Sequence, residues 1–240
     1  MKDILTFYPE IGVRVSIDAV GEKHDQTRGT PNAFNMVVNT LKELKKLGVR
    51  NLGIGHTILD ENAGEATKIY NLSRELGIEL SIALAQNSEF FFEKTDNVIK
   101  DFDNLKEQLE FLIIEELKTF HPKRWARAYF NYGAWRFFRY NERILDEGAG
   151  KDSVFIDPQG NVYPADYVNE IIGNIKKTAL DEIVNSPHAE KARATVCKDN
   201  PYEAWMICTV RGSFAKAKWK VLSWALINKL KVHLKKEILT

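Results

Sequence analysis

An α/β fold is the architecture this sequence predicts: a partial parallel (β/α) barrel or open sheet, then a small hairpin-and-loop extension and a C-terminal helix. Three observations predict it. Strand-like and helix-like segments alternate over residues 13–85 with short connections, a turn-rich pattern takes over near residue 147, and a lysine-studded apolar segment closes the chain. The bulk properties agree. With 44% hydrophobic and 28% charged residues in 240, the chain is neither collagen-like, disordered nor a disulfide scaffold. Its 34 Lys+Arg nearly cancel its 33 Asp+Glu, so no global field draws it to nucleic acid. Two cysteines make no disulfide framework, and a cytoplasmic location is the expectation. No apolar run approaches the roughly 20 residues of a membrane span, and the N-terminus lacks the apolar core of a signal peptide.

Taken in order, Val13–Asp18 alternates β-branched and polar residues and reads as a strand. A polar loop is expected from Gly21 to Pro31. Phe34, Val37, Val38, Leu41, Leu44 and Leu47 then recur at helical spacing, with Gly48 to end the helix. Asn51–Leu59 is a second strand, Ala63–Leu76 a second helix stopped by Gly77, and Ile78–Ala85 a third strand. Strand-helix-strand units pair in parallel through right-handed crossovers. Function in such sheets gathers at the C-terminal strand ends, here Ser16 and Asp18, His56 and Thr57, and Gln86, Asn87 and Ser88. Asp96–Phe120 reads as a long amphipathic helix ended by His121-Pro122. Arg124–Tyr140, dense in aromatics and arginine, reads as a helix packed by large side chains. Ser153–Tyr163 is strand, turn, strand, with Pro158–Asn161 as the turn. Ile171–Ile175 leads into a short helix, Ala179–Asn185, then a loop carrying both cysteines, then a helix from Phe214 to Ile238.

Two strings carry a family resemblance. The run VRVSIDAVGEKHDQTRG and the alternating elements after it look like the later part of a radical S-adenosylmethionine barrel. The run VFIDPQGNVYPADYVNEIIGNI, followed by CKDNPYEAWMICT, resembles the SPASM-type C-terminal extension of those enzymes. The resemblance covers roughly residues 11–90 and 145–212. It implies S-adenosylmethionine as cofactor, held at its methionyl end by Ser16 and Arg28, since a guanidinium and a carboxylate form two parallel charge-assisted hydrogen bonds. Asp18, Thr57 and Asn62 are further candidates for cofactor contact. His56, Gln86 and Ser88 would face substrate. His24 and Asp25 read as loop-stabilising, and no pair of carboxylates is spaced for acid-base work.

The departures matter as much. The resemblance implies a [4Fe–4S] cluster on a C-x₃-C-x₂-C triplet, which this sequence lacks. No other residue type here replaces three thiolates. In the extension the family's cysteine positions read Glu147 or Gly148, and Ala165, leaving Cys197 and Cys208 as the weak remainder of a metal site. The expected divisions are residues 1–140 for the barrel-like part, 141–212 for the extension and 213–240 for a basic amphipathic helix. The expected function is that of the C-terminal portion of a radical S-adenosylmethionine enzyme, inactive alone, modifying a peptide or small metabolite through a 5′-deoxyadenosyl radical. The other reading is a non-catalytic remnant that binds a peptide or partner. A partner chain or preceding domain could complete the barrel. The closing helix is expected to cover the domain and keep a solvated lysine face, with peripheral membrane contact as the lesser reading.

Overall fold

The computed structural model describes residues 1–91, 93–196 and 205–239, with the side chains of 195 and 196 left aside. The chain divides into two compact units: residues 1–84 with 99–115, and residues 85–98 with 116–240.

In the first unit, α1 (Lys2–Phe7) precedes three strands, β1 (Gly12–Ser16), β2 (Asn51–Ile58) and β3 (Glu79–Leu84), which pair in parallel in the order β1-β2-β3. Successive side chains of a strand point to opposite faces. Ile17, Leu52, Ile54, Ile58, Leu80, Ile82 and Leu84 share one face and are buried. The helices α3 (Ala33–Lys46) and α4 (Ala66–Glu75) pack against these strands. Further buried leucines come from α5 (Phe102–Leu117), whose residues through Glu115 belong to this unit. The Asp60 carboxylate accepts hydrogen bonds from the backbone N–H groups of Lys100 and Asp101, at 2.8 and 3.1 Å, which ties the entry to α5 to the end of β2.

The other face of the sheet is bare by comparison. Register sets Ser16 beside Gly55 and Gly55 beside Ser81, and sets Thr57 beside Ala83. Across this face lies Arg14. Its guanidinium donates to the Asn51 carbonyl, to Asn51 Oδ1, to Glu79 Oε2 and to Ser81 Oγ, so one side chain binds three strands. It can lie flat because Gly53 is its β2 neighbour. A Cβ there would stand 2.7 Å from the Glu79 carbonyl oxygen and 3.0 Å from Arg14 Nε.

The expected strands and the helix over 34–47 are present, and Gly48 and Gly77 take positive φ values after their helices. The expected loop from Gly21 to Pro31 is instead largely a helix, α2 (Glu22–Arg28). Its sequence is polar throughout, so apolar periodicity could not signal it. The second helix begins as a 3₁₀ turn, Asp60–Glu65, and α5 starts later than Asp96.

In the second unit, α6 (Pro122–Tyr140) is the expected aromatic helix, and Tyr129, Phe130, Trp135 and Phe137 are buried. Buried Glu116 receives Arg124 Nε at 2.8 Å and Arg127 Nη1 at 3.3 Å. A second sheet is antiparallel: β4 (Phe155–Ile156), β5 (Asn161–Tyr163) and β6 (Gly173–Asn174), in that order. The sequence pattern does not announce the third of these strands. The helices α7 (Leu180–Val184) and α8 (Pro187–Val196) follow, then α9 (Ile207–Lys216) and α10 (Lys218–His233). Two expectations need correction here. Cys208 sits on the first turn of α9 and not in a loop, while Cys197 lies outside the described residues. The closing helix is broken at Ala217 into α9 and α10.

Trp205 is the wedge of this unit. It is 1% exposed, its indole N–H donates to the Phe130 carbonyl at 3.0 Å, and its ring stands close to Phe130 and Phe137. The ring fits because residue 133 is glycine: a Cβ there would lie 2.1 Å from Trp205. Gly133→Ala should therefore cost about 1–3 kcal/mol of stability, as overpacked cores do. Gly64→Ala, whose Cβ would meet only the Asn104 side chain at 3.6 Å, should stay within about 0.5 kcal/mol of the parent. Urea melts of the two variants check the contrast.

Candidate functional site

Parallel pairing brings the strand ends of the first unit to one place. At the end of β1 the Ser16 side chain is exposed on the bare face. Two residues on, Asp18 is 8% exposed. The next turn and α2 return Arg28 to it: Nε lies 2.6 Å from Asp18 Oδ2, and Nη2 donates to Oδ1 at 3.3 Å. One edge of the guanidinium, Nε with Nη2, is thus spent on Asp18. The side chain remains 45% exposed, and the end formed by Nη1 and Nη2 is the part left for a second carboxylate.

His24 and Asp25, both on α2, tie that helix to the end of β1 and to the start of α3. The Asp18 backbone N–H donates to His24 Nδ1 at 3.1 Å, which makes Nε2 the protonated nitrogen. Burial, outweighing the attraction of Asp18, holds the His24 pKa below the ordinary imidazole value. The Asp25 carboxylate accepts from the N–H groups of Asn32 and Phe34, at 2.8 and 2.7 Å, and so caps α3.

At the end of β2, Thr57 is exposed on the same face as Ser16, Gly55 and Ser81. Asn62 is 1% exposed, and its amide is used by backbone: Oδ1 accepts from the Leu59 N–H and Nδ2 donates to the Thr57 carbonyl. His56 belongs to the buried face. Its Nδ1–H donates to the Ile17 carbonyl at 3.0 Å, while Nε2 is buried with no hydrogen-bond partner. Burial lowers its pKa to about 4, against the smaller opposing pull of the Ile17 carbonyl, Asp18 and Glu65. The ring is therefore a neutral strut at physiological pH.

In the second unit Gln86, Ser88 and Asp166 form a cluster. Gln86 Nε2 donates to Asp166 Oδ2 at 3.0 Å, and Ser88 Oγ donates to the Asp166 carbonyl at 3.1 Å. Gln86 Oε1 and Asp166 Oδ1 are both buried acceptors without a hydrogen-bond partner. Burial raises the Asp166 pKa above the ordinary carboxylate value, more than the Gln86 hydrogen bond lowers it. Two buried acceptors without partners, on residues joined by a hydrogen bond, suit a ligand that offers N–H or O–H donors. Sequence reasoning missed Asp166, although it lies two residues after the tyrosine-proline pair of the second string.

The residues of the extension do not fit a four-thiolate cluster. The sequence holds two cysteines, and such clusters take four thiolates or close substitutes. Ala165, at a position where the resemblance expects a cysteine, is buried in an apolar cluster with Ala149, Tyr167, Val168 and Met206. Glu147 pairs with Arg143 at 2.8 Å. Partial burial, and next the nearby Asp166 charge, push the Cys208 thiol up, away from the thiolate a metal needs. Among the described residues no group of three or more His, Cys, Asp or Glu is arranged to hold a metal.

The His56 geometry carries a pH prediction. A histidine whose folded pKa lies below its unfolded value stabilises the fold fully above pH 6.5, and that stability is lost as pH falls toward about 4. The size is about 3 kcal/mol, since each tenfold change in an ionisation constant is worth ~1.4 kcal/mol. Urea melts at pH 7 and pH 4 should show that His56→Gln loses less stability on acidification than the parent does.

Comparison with known proteins adds the following. Residues 148–209 match the SPASM family, described as an iron-sulfur cluster-binding domain. No curated protein sequence matches the chain. Among solved structures, a hexahistidine-tagged anSMEcpe with bound AdoMet is 17% identical with a TM-score of 0.58, over 97% of this chain and 72% of that one. Native anSMEcpe with bound AdoMet and the Cp18Cys peptide is 16% identical with a TM-score of 0.58, over 94% of this chain and 73% of that one. No helix of the described residues is long and apolar enough to cross a membrane. Residues 148–209 thus match the SPASM family, and the chain that carries them shares its fold with anSMEcpe, a protein solved with bound AdoMet.

Proposed function

We propose that the chain binds S-adenosylmethionine at the strand ends of its first unit and serves the modification of a peptide or small molecule. The observation that carries this reading is the Asp18–Arg28 pair. Asp18 holds one edge of the guanidinium and leaves its outer end for the methionyl carboxylate, so Asp18 is a positioning residue and Arg28 the binding one. Ser16 and Thr57, exposed on the bare face, are the hydroxyls that accompany it. Thr57 and Asn62 act together, because the Asn62 amide fixes the Thr57 carbonyl. A peptide is the favoured substrate class: the fold is shared with a protein solved with AdoMet and the Cp18Cys peptide, and Gln86 and Asp166 offer acceptors to amide N–H groups. His56 and Ser88 serve from within, each in its own unit, by holding the Ile17 carbonyl and the Asp166 carbonyl.

Calorimetric titration with S-adenosylmethionine tests the proposal. Arg28→Ala should weaken binding by about 1.5–3 kcal/mol, the range of a hydrogen bond to a charged group. The decarboxylated cofactor should bind parent and variant alike. A parent that binds neither compound, or an Arg28→Ala variant with unchanged affinity, retires the assignment.

A second reading, peptide or partner binding without chemistry, is favoured by the apolar packing of Ala165. Iron and sulfide analysis after anaerobic reconstitution separates the two. Well under four irons per chain is expected, and about four would contradict the fit of these residues.

A further inference from the structure

We propose that α10 is a docking helix for an anionic lipid surface. The helix carries two apolar faces. One is spent within its own unit: Val221 and Ala225 are buried, Trp224 meets Tyr129 and Tyr132, and Lys229 donates to the carbonyls of Leu117 and Thr119 while its ammonium lies 4.1 Å from the centre of the Phe120 ring. The sequence predicts solvated lysine for the opposite face, and the structure places apolar side chains there instead. Trp219, Leu226, Ile227, Leu230 and Leu234 stand between 48 and 72% exposed. At 3.6 residues per turn these five fall within an arc of about 100°, a stripe roughly four turns long that exposed Ser223 interrupts between Trp219 and Leu226.

Charge decides what covers the stripe. From residue 205 onward the sequence has eight Lys or Arg and one acid, Glu237, a net of +7 in a chain whose total is +1. Lys231 borders the stripe along one side beside Lys220, whose ammonium donates to the Ile144 carbonyl at 2.9 Å, and Lys235 and Lys236 follow its end, exposed. A second copy of this chain would bring like charge against like charge. An anionic bilayer matches both features at once. Its headgroups meet the lysines, its acyl boundary receives the leucines, and an indole such as Trp219 settles where the two meet. Neither feature suffices alone, since an apolar stripe of this length gives only weak interfacial binding and lysine attraction falls off within a Debye length.

Vesicle sedimentation with the full chain tests this. Phosphatidylcholine vesicles containing one third phosphatidylserine should pull down the protein, and pure phosphatidylcholine should not. Binding should shift the tryptophan emission to the blue, and Trp219→Phe should abolish that shift. Leu226→Glu/Leu230→Glu, at exposed sites that leave the thermal melt unchanged, should lose binding at least about tenfold, as should Lys235→Glu/Lys236→Glu. Absence of binding at low salt, or binding indifferent to the leucine pair, overturns the proposal. So does a dimer in solution that the leucine pair converts to monomer, which would make a second copy the occupant.

Discussion

Three parallel strands leave their sheet at the same end, and that constraint decides where chemistry can sit in the first unit. Parallel pairing requires a crossover between strands, and α3 and α4 supply it while covering one face. Every C-terminal strand end then opens onto one edge. Asp18 follows β1 there, and Thr57 stands at the end of β2. Arg14 stabilises the uncovered face by spanning all three strands at once, and the glycine beside it lets the guanidinium lie flat. A larger residue at 53 would lift Arg14 and disturb the surface that Ser16 and Thr57 share.

The two carboxylates of greatest interest show how environment sets role. Asp18 is compensated, with a guanidinium on one side and a backbone-fixed imidazole near it. Such a group holds a neighbour in place. Asp166 has an amide for a partner, an oxygen without one, and a pKa pushed upward by burial. Such a group is poised to accept a proton or a donor from a ligand. Cys208, close enough to Asp166 to feel its charge, is kept as a thiol. The extension matches a family described as cluster-binding, and Ala165, at a position where the resemblance expects a cysteine, sits in an apolar interior. Hydrophobic packing there supplies cohesion of the kind that metal ligation supplies in structural metal sites.

The sequence alone determined the alternation of strands and helices, the amphipathic α3 and the turn at Pro158–Asn161, because these rest on short-range periodicity and on residues with strong backbone preferences. It also determined the shortage of thiolates, which no folding can change. Tertiary structure alone decided the rest. Gly173 and Asn174 have no liking for a strand, and they form β6 because β5 offers a ladder. The α2 helix is polar all round, so no pattern announces it. Arg28 is held by Asp18, ten residues away, through a helix turn no spacing rule foretells. Asp166 gains its environment from Gln86, eighty residues distant in sequence. The exposed leucines of α10 are apolar in any reading, and only the packing of the opposite face reveals which of them remain in water. Local pattern reports what a segment prefers, whereas burial and pairing are properties of contacts between segments, and those exist only once the chain has folded.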